Sequence, residues 1–299
     1  MLWQGPPIAD IARTAEALGF ESLWMGEHII IPVAIGNPIR HGVPLPDTYR
    51  HMPDPLIWLT AAAMATTRLK LGFNICLIAQ RNPMILAKQV ACLDRVSGGR
   101  VLLGIGSGWI EEEAGIMGVP YRARWRKTME HARALKTLWT EEMPTFSGDY
   151  MSFPPVYSFP KPLQDPHPPI LIGAGNHNTD NTAALRRIAE SDLADGWLPN
   201  YLSPKQMREH LDRLRELCDS NHRDFTKLDI NLLLPGLALG VGDRPPYFGD
   251  EEVAPRDAQE LVGEYEDAGV HRILVGLVDF TEAVGLSALE RAAAGLGLV

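Results

Sequence analysis

Apolar residues along this chain fall into two alternating kinds of segment. Short runs rich in leucine or β-branched residues end in Gly, Asn or His. Longer segments, with apolar residues every three or four positions, follow them. The short runs read as strands at 22–25, 69–77, 101–105, 170–172, 194–198, 230–239 and 272–277. The longer ones read as helices at 8–18, 56–66, 84–95, 126–139, 182–189, 204–218, 257–268 and 287–294. Local signals set several ends: Gly19 stops the first helix, and Asn82 followed by Pro83 opens the helix at 84.

Strands alternating with helices predict repeated βα units and a parallel sheet. The expected fold is an α/β (β/α)8 TIM barrel with insertions, residues 1–299 forming one domain. Only seven strands are legible, and the chain opens on what should be the first helix. Gly5, Pro6 and Pro7 precede it and do not make a central strand. The first strand is therefore read as missing or incomplete. Two insertions stand out. The proline-rich loop 31–55 is long enough to be a lid or binding loop, with Arg40, His41 and Tyr49 as candidates to shape a substrate pocket. A hairpin at 145–153, turning on Gly148-Asp149, leads into an extended proline-rich segment at 154–169.

Charge and cysteine usage narrow the function. There are 28 Lys and Arg against 37 Asp and Glu, a net charge of −9. Such a balance argues against a nucleic-acid partner, which needs clustered cations. Cys76 and Cys92 lie in apolar runs and are read as buried thiols; with Cys218 they make no metal-ligand spacing and no disulfide framework. The loop histidines 28, 41 and 51 are irregularly spaced, so no metal is expected. No signal peptide and no membrane span are read, which gives a cytoplasmic expectation.

A barrel of this kind carries its active site at the C-terminal ends of the strands. The residues there are Glu27 and His28; Asn74, Ile75 and Cys76; Gly106, Ser107, Gly108 and Trp109; Gly173, Ala174, Gly175 and Asn176; and Gly196 with Trp197. Clustered glycines, amides, one His and two Trp suit a flat aromatic cofactor with a phosphate tail, because glycine lets backbone N–H groups approach a phosphate. Each residue also has a plainer reading. His28 fits a structural histidine, Glu27 a partner for a neighbouring arginine, Gly104 and Gly106 packing glycines, and Trp109 and Trp197 core fillers.

These residues resemble a known family. Leu18-Gly19-Phe20-Glu21-Ser22-Leu23-Trp24-Met25-Gly26-Glu27-His28 is similar to a segment of the luciferase-like monooxygenases. So are Gln80-Arg81-Asn82-Pro83, the run from Leu93 to Arg100, Gly104-Ile105-Gly106-Ser107-Gly108-Trp109 with Glu111-Glu112-Glu113, and Asp195-Gly196-Trp197-Leu198-Pro199. The Gly108-Trp109 and Asp195-Gly196-Trp197 forms resemble the branch that uses the deazaflavin coenzyme F420.

The resemblance implies catalytic roles for His28, in proton transfer at the reactive ring, and for Glu27, on the cofactor. It implies a non-proline cis peptide at Asn74–Ile75 beneath the ring. It places Gly106, Ser107, Gly108 and Trp109 along the ring or side chain, and Gly173, Ala174 and Gly175 near the phosphate. One departure matters: Trp109 stands where some deazaflavin dehydrogenases of the family carry a catalytic Glu. The leading expectation is hydride transfer between F420 and a small-molecule substrate, with His28 as general acid or base. The alternatives are an FMNH2-dependent two-component monooxygenase, served by a separate flavin reductase, and a non-catalytic flavin-binding protein. A homodimer is expected.

Overall fold

The computed structural model describes residues 5–36, 39–40, 43–45, 47–176, 179–235, 247–248, 251–252, 257–276 and 285–299. His41, positions 236–239 and Leu277 lie outside the described residues, as do the ends they were expected to form. Seven strands build the main sheet: β1 (Ser22–Met25), β2 (Lys70–Cys76), β3 (Val101–Ile105), β4 (Ile170–Ile172), β5 (Gly196–Trp197), β6 (Asp229–Pro235) and β7 (Arg272–Gly276). They pair in chain order and every pairing is parallel. The helices are α1 (Ile8–Ala17), α2 (Pro55–Ala65), α3 (Pro83–Ser97), α4 (Glu111–Ile116), α5 (Arg124–Thr140), α6 (Thr182–Ala189), α7 (Pro204–Ser220), α8 (Ala258–Asp267) and α9 (Gly285–Gly295). This is a nearly closed TIM-barrel-like fold with seven parallel strands.

Local chemistry explains where the helices begin. The Asn82 side chain accepts the N–H groups of Met84 and Ile85, and Pro83 fills the first turn of α3. Asp54 and Pro55 do the same for α2. Each such cap is worth about 1 kcal/mol. Gly98 closes α3 at φ 74°, a left-handed conformation that favours glycine.

The main core lies between the sheet and the helices, and a smaller cluster fills the barrel interior. In that interior Leu171, Leu198 and Leu274 pack with Trp24, Ile75 and Leu233. Among the described residues, β1 and β7 end the sheet and do not pair with one another. An ion pair bridges their starts. Arg272 Nε and Nη2 donate to Glu21 at 2.6 and 3.0 Å, while Nη1 reaches Asp229 at 2.8 Å. Outside, α1 packs against α9. Between the two edges lies a cavity of about 580 Å³, lined by Ile11, Ala15, Trp24, Leu233 and Ile273 among others.

Several expectations need correction. Strand 194–198 shortens to Gly196–Trp197. Loop 31–55 is not structureless: it holds a hairpin of Ile39–Arg40 against Val43–Pro44 and a 3-10 turn at Asp47–His51. The hairpin after α5 turns through four residues rather than two. Ser147 pairs with Ser152, and the Glu130 carboxylate accepts the N–H groups of Asp149, Tyr150 and Met151. A distant side chain thus dictates the turn. Cys92 is exposed, because it sits on the outer face of α3, whereas Cys76 and Cys218 are buried. Helix α4 was not anticipated. No helix among the described residues is long and apolar enough to cross a membrane.

Candidate active site

β1 delivers Glu27 and His28 to the C-terminal end of the barrel. Glu27 is buried and both of its oxygens are engaged: Oε2 accepts from Leu77 N at 2.7 Å, and Oε1 from Arg81 Nε at 2.6 Å. Arg81 Nη2 also reaches Asp54 at 2.8 Å. Glu27 therefore ties β1 to the turn after β2, in agreement with the arginine-partner reading. Burial opposes the charge on Arg81, but the carboxylates of Glu27 and Asp54 outweigh it and raise its pKa. Beside them, burial first and then the Glu27 charge push the Cys76 thiol well above its usual range. Cys76 is thus no thiolate nucleophile.

His28 faces another set of partners. Its Nδ1 lies 2.7 Å from Glu113 Oε2, and the two side chains are 5% and 0% exposed. The imidazole stands 5.3 Å from the Tyr49 ring and meets Trp109 edge-on at 6.2 Å. In the sequence Glu113 is the last of an acidic triplet, Glu111-Glu112-Glu113. A helical reading finds it: Ile110, Glu113, Ala114 and Met117 share one face, while Glu111 and Glu112 turn outward.

The Asn74–Ile75 peptide bond is cis, as the resemblance implied. The Ile75 side chain then lies across two glycines. A Cβ on Gly106 would fall 1.8 Å from Ile75 Cδ1, and one on Gly173 would fall 2.2 Å from Ile75 Cγ2. Both glycines make room for Ile75, which agrees with the packing reading of Gly106. The loop after β3 is clamped from beyond α4. Tyr121 OH donates to Trp109 O at 3.0 Å, and Arg124 Nε to Gly108 O at 3.2 Å. Ser107 is buried there. So is Gln80, whose amide nitrogen lies 3.4 Å from where a Gly108 Cβ would stand; neither polar atom of that amide has a partner among the described residues.

The loop after β4 is knitted by Asn181. Its side chain accepts from Asn176 N at 3.1 Å and Thr179 Oγ1 at 2.8 Å, and Gly175 leaves it space at φ 107°. Trp197 Nε1 donates to Ala174 O at 2.7 Å, so this tryptophan is a core residue that also holds the loop. Two cations on the neighbouring helices escaped the sequence reading: Arg124 at the start of α5, and Arg187 in α6, whose guanidinium stacks 4.5 Å from the Trp125 ring. Burial, and next the Arg124 charge, lower the pKa of Arg187. Neither arginine has a carboxylate partner among the described residues. Nothing in local periodicity marks them, because they sit on different helices, α5 and α6.

The sequence-predicted residues thus lie on the loops after β1 to β4, where His28 stands with Trp109, Ile75 with Gly106 and Gly173, and Ala174 with Gly175, while Glu27 turns to Leu77 and Arg81 instead. Among the described residues, the 580 Å³ cavity meets this region at Gly26, Tyr49 and Asn74, and His28 does not line it. The chemistry is better located by the buried polar groups than by that opening.

Comparison with known proteins agrees with this fold. The luciferase-like monooxygenase family matches residues 6–236. A Mycobacterium tuberculosis protein of uncharacterised function is 37% identical over 291 residues, covering 96% of this chain and 93% of its own. An F420-dependent glucose-6-phosphate dehydrogenase of Kineococcus radiotolerans is 33% identical over 172 residues, 56% of this chain and 46% of its own. An FMNH2-dependent dimethylsulfone monooxygenase of Pseudomonas putida is 34% identical over 215 residues, 70% of this chain and 56% of its own. An F420-dependent secondary alcohol dehydrogenase structure superposes with a TM-score of 0.71 at 18% identity, covering 98% of this chain and 96% of that one. The chain therefore belongs to the luciferase-like monooxygenase family and is an oxidoreductase that works with a flavin or a deazaflavin.

Proposed function

We propose that this protein transfers a hydride between coenzyme F420 and a small organic substrate, with His28 exchanging the accompanying proton. The observation that carries the reading is the buried imidazole of His28, set between Tyr49 and Trp109 and tied to Glu113. Histidine is the side chain suited to proton exchange near neutral pH. The bound cofactor would supply the two-electron chemistry. The residues present fit such a group. The Gln80 amide is buried without a partner among the described residues, which costs free energy unless a ligand completes it. Arg124, which reaches the loop after β3 through Gly108 O, has no carboxylate partner among the described residues, and its guanidinium would suit a phosphate. Ala174 and Gly175 would line the same tail, and Trp109 the ring.

The dimethylsulfone monooxygenase relative favours a second reading, in which the cofactor is reduced FMN delivered by a reductase and the co-substrate is oxygen. Fluorescence titration with F420 and FMN in parallel separates the two. Micromolar F420 binding with weak FMN binding supports the proposal; the reverse order overturns it. His28→Ala is expected to cut turnover while cofactor affinity holds, and unchanged turnover would remove His28 from the mechanism.

A homodimer is part of the proposal. α2 carries no charged residue, yet Ile57 and Met64 on its outer face are 70% and 73% exposed. Ile85, Cys92 and Val96 continue the apolar surface onto α3. A helix apolar on every side belongs in an interior, and a second copy presenting the same face would cover it.

A further inference from the structure

We infer that Glu113 is the positioning residue of this site: it holds a proton on His28 Nδ1 and so leaves Nε2 as the acceptor. The inference rests on the proposed role of His28 only for its effect on turnover. Its own ground is the contact between two buried side chains, 2.7 Å from His28 Nδ1 to Glu113 Oε2. A carboxylate only accepts, so the shared proton belongs to Nδ1 and the lone pair of the neutral ring is left on Nε2. The same bond fixes the ring against rotation between Tyr49 and Trp109.

The surroundings of Glu113 give it no evident packing purpose. It is fully buried, next in sequence to Ala114 of a small apolar cluster with Ala79 and Val119. Its second oxygen, Oε1, has no partner among the described residues. A buried carboxylate with one bond is costly, and an apolar or neutral residue of similar volume would pack there more cheaply. A group kept at a cost to stability marks a functional position. The family resemblance gave this chain Trp109 where an acid was expected; Glu113 brings an acid to the site from the next helix, one residue removed from the substrate.

The chemical consequence is specific. With an alcohol as the example substrate, the bound cofactor would take up the hydride of the C–H bond. The O–H proton passes to His28 Nε2, and the C–O bond becomes a carbonyl. His28 is then an imidazolium, whose Nδ1–H stays on the Glu113 carboxylate. Glu113 thus stabilises the charge that His28 acquires and does not itself touch the substrate.

The first test needs no cofactor. The full chain is labelled with 15N-histidine, and His28→Gln identifies the His28 signals by their loss. At neutral pH the neutral ring is expected to show Nδ1 protonated and Nε2 bare. In Glu113→Ala, the Nε2-protonated form is expected to take over. A His28 ring already protonated on Nε2, or one whose tautomer is the same in Glu113→Ala, overturns the inference. Glu113→Gln keeps the side-chain volume and guards against a variant that fails to fold. It is expected to melt no lower than the parent and to lose roughly ten- to a hundredfold in kcat, with KM for the cofactor little changed. A large fall in melting temperature without any loss in kcat would assign Glu113 to the core and also overturn the inference. If His28→Ala keeps full turnover, the acid–base reading of His28 fails, while the tautomer measurement still decides the role of Glu113.

Discussion

Replacing Glu27 tests how the site is held together. Glu27→Met keeps the volume but removes a carboxylate whose side chain is 1% exposed and whose Arg81 partner is 14% exposed. Breaking a buried ion pair from one side costs about 3–5 kcal/mol, because the remaining charge stays buried. Arg81 retains Asp54, at 2.8 Å, which places the cost at the lower end. The Leu77 N–H also loses its Glu27 acceptor. A loss of about 3 kcal/mol is expected, which corresponds to a fall of about 6–12 °C in Tm. Urea unfolding should show a lower midpoint with an unchanged slope. Arg81→Leu should cost a similar amount. The double variant Glu27→Met/Arg81→Leu removes both charges together and should also lose about 3 kcal/mol, well short of the sum of the two. Strictly additive losses would refute the reasoning and show that the pair is not coupled.

Three further outcomes follow from the geometry. Gly106→Ala and Gly173→Ala should each destabilise by about 1–3 kcal/mol through overpacking against Ile75, but Ile75→Val removes only Cδ1 and should rescue the first and not the second; equal rescue in thermal melts would contradict the 1.8 and 2.2 Å approaches. The hydrogen bond from Arg272 lowers the Glu21 pKa to about 2 from 4.5, more strongly than burial raises it. Because the folded value is the lower one, the stabilisation is complete above pH 4.5 and is lost as pH falls towards 2. Glu21 is half-exposed, so Glu21→Gln should cost under about 1 kcal/mol at pH 7, a difference that closes in acid melts; a gap independent of pH would refute the assignment. Met64→Glu on the outer face of α2 should turn a dimer into a monomer by light scattering, while the parent's Ile57 and Met64 stay covered; a monomeric parent would remove the proposed interface.

Much of the fold is legible because its signals are local. Apolar spacing places seven strands and the longer helices, and Asn82-Pro83 and Gly98 mark ends through contacts within one turn. What local signals miss is set from far along the chain. The hairpin at Gly148 opens to four residues because Glu130 accepts its N–H groups. Cys92 turns outward because α3 presents its other faces to the sheet and to α5. Helix α4 is too short for periodicity to stand out, so Glu113 passed as one of three similar acids.

The site divides in the same way. The sequence by itself determined which residues reach the C-terminal ends of the strands, since a strand that ends at Met25 must deliver Glu27 and His28 there. It also determined that positions 106 and 173 carry no side chain. Only the tertiary structure decided what these residues do to one another. Glu27 meets Arg81 across 54 positions, and His28 meets Glu113 across 85. Ile75 fills the space left by glycines just past the ends of two other strands. The physical reason is that secondary structure is chosen by contacts within a few residues. A buried charge or a close backbone approach is tolerated only when a partner brought in by the barrel completes it.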